Sequence, residues 1–124
     1  MEVINIDATD ETPKVILDSG KSVFEFSGKS LPEDVTVFYD PILAWLDAYS
    51  GSPNSKTEVT FKMDYFNTAS SKLILDILLK LEEIHESGNS VLVKWYFRES
   101  DEDMEEAGEE YADIVEVDFE HISY

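Results

Sequence analysis

Hydroxyl and amide side chains crowd one short stretch of this sequence, Asp64-Tyr-Phe-Asn-Thr-Ala-Ser-Ser-Lys72. The stretch lies where an alternating apolar pattern gives way to one of helical period, so it carries the chain from a strand into a helix. The first amides of a helix have no intrahelical acceptor, and an oxygen from Asn67 or Thr68 is suited to cover one of them. A second role is compatible with capping. A Thr68 hydroxyl exposed at a helix N-terminus can carry a phosphate, because free amides and the positive end of the macrodipole favour an anion there.

Other constellations of chemistry are weak. His85 falls near the end of a helical pattern and His121 in the C-terminal tail, with no carboxylate at a spacing that marks a triad or a metal pair. Asp101-Glu-Asp-Met-Glu105 has the flavour of a calcium loop, but Glu106 stands where the loop needs glycine and Ala112 where it needs a bidentate glutamate. Five glycines are scattered singly, so no phosphate-cradling loop is formed. Trp45 and Trp95 sit on apolar faces suited to a core. No catalytic residue, metal site or cofactor is expected.

The 124 residues hold no cysteine, which excludes disulfides and thiolate chemistry and suits a reducing, cytoplasmic setting. A formal charge of −19 repels phosphate backbones and anionic lipid, so neither nucleic acid nor a membrane surface is an expected partner. The charge is uneven: Glu99 to Glu120 holds twelve acidic residues and no basic one. Such a run is either a solvated helix face or a surface for a basic partner.

The elements that position the Asn67-Thr68 turn follow from periodicity. Met1 to Pro13 is polar with little pattern and reads as a flexible arm, leaving 14–124 as one domain. Lys14 to Asp18 and Ser22 to Phe26 flank Ser19-Gly20 as a hairpin. Ser30-Leu-Pro-Glu33 has the form of a capping box opening a helix. Val35, Phe38, Tyr39, Ile42, Trp45, Leu46 and Tyr49 then share one helical face, with Pro41 expected to kink or split it. Thr57 to Phe66 alternates, placing Val59, Phe61, Met63 and Tyr65 on one face. Ala69 to Glu86 is a strongly amphipathic helix. Val91 to Phe97 is apolar enough for a central strand covered on both faces. A helix over Asp101 to Ala112, with Met104, Ala107, Gly108 and Tyr111 inward, precedes a strand marked by Val115, Val117 and Phe119. Hairpin followed by α-β-α-β-α-β implies a mixed, mostly parallel sheet with helices packed on it, an α/β fold.

With those residues in place, the sequence resembles the SiaC family of bacterial regulatory phosphoproteins, whose fold is similar to the STAS domains of anti-sigma-factor antagonists. The likeness is carried by Thr12-Pro13, by Ser27-Gly-Lys-Ser-Leu-Pro-Glu33 leading to Phe38-Tyr39, Pro41 and Trp45-Leu46, and by Tyr65-Phe-Asn-Thr-Ala-Ser-Ser-Lys72. Trp95-Tyr-Phe97 and Asp101 to Tyr111 extend it. The resemblance implies a non-enzymatic partner-switching module. A protein kinase phosphorylates the threonine of the Asn-Thr turn, here Thr68, and a serine/threonine phosphatase reverses this. The unphosphorylated form binds an effector, in the family's namesake system a diguanylate cyclase acting in cyclic di-GMP and biofilm signalling. The implied switch surface is Asp64, Asn67, Thr68, Ala69, Ser70, Ser71 and Lys72. Ala69 departs from the serine familiar at that position and leaves Thr68 the acceptor. An anti-sigma-factor antagonist would use the same fold and switch on a different partner.

Overall fold

A computed structural model describes residues 1–124. Its elements are β1 (Ile4–Ile6), β2 (Lys14–Asp18), β3 (Val23–Ser30), α1 (Val35–Ser50), β4 (Lys56–Phe66), α2 (Thr68–Glu86), β5 (Ser90–Phe97), α3 (Glu102–Ile114) and β6 (Asp118–Ser123). The six strands form one sheet in sequence order, with β1-β2-β3 antiparallel and β3-β4-β5-β6 parallel. The mixed, mostly parallel sheet with a leading hairpin is the α/β architecture expected from the alternation of periods.

Sequence order along the sheet has a consequence. Right-handed crossovers that always step the same way lay every connecting helix on the same face. Burial alternation agrees: Val59, Phe61 and Met63 of β4 and Val91, Val93, Trp95 and Phe97 of β5 are buried, while the residues between them are mostly half-buried. Strand β5 is therefore flanked by neighbours on both edges but covered on one face only, and its apolar run overstated its burial. The uncovered face carries ion pairs instead, Lys14 with Glu25, and Lys56 and Lys94 with Glu58. Their side chains are roughly one-third to two-thirds exposed, so each pair contributes little stability.

The core joins all three helices to this inner face. Phe24 of β3 packs against Trp45 and Tyr49 of α1, and Phe61 stacks on Trp95, which meets Tyr111 of α3 edge-on. From α2, Ile74, Ile77, Leu78, Leu81 and Ile84 are buried in the same cluster, as their 3-4 spacing requires.

Several elements differ from their sequence pattern for identifiable reasons. The N-terminal segment is tied down: Ile4 to Ile6 pairs antiparallel with Leu17 to Val15, the Trp45 indole donates to the Glu2 carbonyl at 2.6 Å, and the Leu31 amide donates to the Glu11 carbonyl at 2.8 Å. Three residues are too few to display a period. Helix α1 runs unbroken through Pro41, which lies on the exposed side where water can reach the Val37 carbonyl left without its donor. Its cap is Asp34, whose carboxylate accepts from the Val37 amide at 3.2 Å; Ser30 instead ends β3, fully buried. Helix α3 extends through Ile114, so β6 begins only at Asp118 and Val115 enters the core from the helix end.

Candidate functional site

Helices α1, α2 and α3 begin at the carboxyl ends of β3, β4 and β5, the side of an open α/β sheet where sites usually form. Thr68 is the first residue of α2, and its side chain faces solvent. Asn67 is the cap: its side-chain oxygen accepts from the Ser70 amide at 2.8 Å, and its carbonyl accepts from the Ser71 amide at 3.0 Å. The Thr68 and Ala69 amides precede the first intrahelical bond, which leaves two donors at the end where the macrodipole is positive.

Strand β4 reaches this turn through a bulge. Gly28 pairs with Met63 but Lys29 pairs with Tyr65, so Asp64 is an extra residue. A bulge reverses which side chains point inward. Tyr65, on the inner face by simple alternation, is 52% exposed, and Phe66 turns in to meet Trp95 and Tyr111. Asp64 points to the uncovered sheet face and pairs with Arg98, the chain's only arginine.

The residues expected to form one surface thus separate. Thr68, Ala69 and Lys72 are exposed, Asn67 and Ser71 are half-buried, Asp64 belongs to the opposite face of the sheet, and Ser70 is fully buried. The Ser70 hydroxyl donates to the Ser30 carbonyl at 2.9 Å and accepts from the Ser30 hydroxyl at 2.8 Å. With its proton committed to Ser70, the Ser30 hydroxyl must accept from Tyr39 at 2.6 Å. From the other side, the Tyr111 hydroxyl donates to the Ser71 carbonyl at 2.7 Å. Two tyrosines, one on α1 and one on α3, therefore anchor the first turn of α2. Neither is apparent from a linear pattern, because an inward tyrosine in an apolar stripe looks like any core aromatic.

This anchoring has two measurable consequences. Ser70→Ala would remove two hydrogen bonds and strand buried groups on Ser30, at a cost of about 2 kcal/mol. Urea unfolding would show it as a lower midpoint with an unchanged slope. Burial pushes the hydroxyls of Tyr39 and Tyr111 above their ordinary pKa of 10.0, Tyr111 much further. The native state then holds protons that the unfolded chain releases, so this contribution is intact below about pH 10 and declines as pH rises beyond it. Urea unfolding between pH 9 and pH 11, taken as approximate bounds, should show falling stability, and Tyr111→Phe should flatten the fall.

His85 lies in the last turn of α2 and His121 on β6, where its ring stacks on Phe119. No cluster of three or more His, Asp or Glu side chains is arranged to hold a metal, and no helix is long and apolar enough to cross a membrane.

The fold is a one-sided α/β sheet with an exposed threonine hydroxyl at the first residue of the helix that follows β4. The chain belongs to the SiaC family of regulatory phosphoproteins, whose sequence profile matches residues 6–124. It is 28% identical over 111 residues to an uncharacterized protein of Pseudomonas aeruginosa strain UCBPP-PA14, covering 90% of this chain and 88% of the other. Among solved structures it is similar to SiaC of Pseudomonas aeruginosa, with a TM-score of 0.91, 25% identity and complete coverage of both chains. It is also similar to SiaC from the same organism in a crystal structure where SiaC is the activator in complex with the diguanylate cyclase SiaD. There the TM-score is 0.90 at 25% identity, covering 98% of this chain and 99% of the other.

Proposed function

We propose that this chain is a non-enzymatic switch: unphosphorylated, it binds and controls an effector of the diguanylate cyclase class, and phosphorylation of Thr68 releases it. A dedicated kinase and a serine/threonine phosphatase set the balance. The observation that carries this reading is the solvent-facing Thr68 hydroxyl at the first position of α2, beside two amides without intrahelical acceptors. Membership of a family of regulatory phosphoproteins supports it, and so does the complex of the related SiaC with a diguanylate cyclase.

In this reading a phosphate on Thr68 is added without unfolding the protein. A group of about −1.5 to −2 charge is stabilised at a helix N-terminus. Lys72 lies four residues on, on the same helical face and exposed. The acidic first turn of α3, with Glu102, Asp103 and Glu105, suits a basic partner whose approach it would steer.

Mass spectrometry of the protein purified from its own host tests the acceptor. One phosphate is expected on the peptide that contains Thr68, lost after phosphatase treatment and never acquired by Thr68→Ala. Phosphate on Ser71 in place of Thr68 would contradict the assignment.

A further inference from the structure

The uncovered face of the sheet holds a second candidate site, remote in chemistry from the switch turn. A cavity of about 330 Å³ opens there, lined by Lys14, Lys62 and Arg98 together with Asp64, Tyr124 and Gly28. Three of the chain's nine cations meet in it, on a molecule whose formal charge is −19. Two of them have carboxylate partners, Arg98 with Asp64 and Lys14 with Glu25. Lys62 has none. Its ammonium is held over two aromatic rings, 4.6 Å from the centre of Tyr124 and 5.6 Å from that of Tyr96. Arg98 lies over the Tyr124 ring as well, at 5.5 Å. Aromatic faces hold a cation in place without neutralising it, so Lys62 keeps its charge available to a ligand.

From these residues we infer a binding site for a small organophosphate, with the phosphate group taken by Lys62 and Arg98 and the remainder of the molecule filling the cavity toward Lys14 and Gly28. A guanidinium offers a planar fork to phosphate oxygens and an ammonium adds a point charge. Asp64 leaves part of the Arg98 fork free to a second acceptor. The volume exceeds what a bare phosphate fills and falls at the lower end of small-molecule pockets. The formal charge of −19 opposes casual anion binding over most of the surface, which makes a cavity that gathers three cations stand out.

The test is an NMR titration of the isotopically labelled full chain at low salt, with ribose 5-phosphate in one arm and inorganic phosphate in the other. Saturable shifts confined to Ser27, Gly28, Lys62 and Arg98 are expected, with the sugar phosphate binding more tightly than phosphate. Lys62→Met, an exposed position outside the core, should weaken binding about tenfold or more with an unchanged circular dichroism spectrum. Raising the salt should weaken it further. The assignment is overturned if no saturation occurs by about 10 mM ligand, if shifts scatter over the surface, or if Lys62→Met binds as the parent does. Tighter binding of inorganic phosphate than of the sugar phosphate would overturn the organophosphate and leave an adventitious ion only.

Discussion

Gly108→Ala is expected to destabilise the domain by about 3 kcal/mol, the upper part of the range for overpacking a core. A Cβ at position 108 would lie 2.4, 2.7 and 2.8 Å from Trp95 Cδ1, Nε1 and Cγ, where no carbon can sit. The indole cannot give way. It is fully buried, stacked on Phe61 at 5.4 Å and bounded by Tyr111 and Phe66, and its N–H donates to the Met104 carbonyl at 2.9 Å. Helix α3 must therefore lift, and with it Tyr111, which holds the Ser71 carbonyl in the first turn of α2. A loss of this size lowers the thermal midpoint by roughly 10 °C for a domain of this length. The neighbouring Glu109→Ala, on the exposed side of the same helix, should change stability by under about 0.5 kcal/mol. Equal midpoints for Gly108→Ala and the parent would show that α3 does not rest on Trp95.

Substitutions at Thr68 should separate folding from binding. Thr68→Ala removes an exposed hydroxyl that does not serve as the cap, so stability should change by under about 0.5 kcal/mol and effector affinity should persist. Phosphorylation should also spare the fold, since the anion meets free amides and the macrodipole, yet it converts a small neutral surface into a bulky charged one. An effector packed on Thr68, Ala69 and Lys72 would have to desolvate that charge without a cation shaped for it. The expected penalty is several kcal/mol, about 3 kcal/mol or more, which weakens binding by over a hundredfold. Thr68→Asp supplies one charge of the phosphate's nearly two and should weaken binding by less. Circular dichroism of all three forms should overlay. A phosphorylated chain that unfolds would show that the turn, and not the surface, is what the phosphate changes.

The order and type of elements were legible because each is written in a different period, two for β4 and β5 and 3.6 for α1 and α2. The turn at Asn67-Thr68 was legible for the same reason, as the point where one period replaces the other. What the pattern could not carry was contact across the chain. Ser30 reads locally as a cap, and only its pairing opposite Phe66 at the end of β4 makes it the buried partner of Ser70 and Tyr39. The bulge at Asp64 is likewise invisible in sequence, since it arises from the register between β3 and β4, and it turns Tyr65 out and Phe66 in. Strand β1 was missed because three residues show no period, and the bare face of β5 because the side on which helices cover a sheet is a property of topology. Arg98 had a signal, being the only arginine and directly following an apolar strand, but its partner lies 34 positions away.

The measurement that bears most directly on the switch is a calorimetric titration of the co-purifying effector with the chain phosphorylated on Thr68 and with the unphosphorylated chain, in the same buffer. The unphosphorylated form is predicted to bind at micromolar affinity or tighter and the phosphorylated form to give no measurable heat of binding, with Thr68→Ala matching the former after kinase treatment. Equal affinities for the two forms would contradict the account and leave Thr68 an ordinary first residue of a helix.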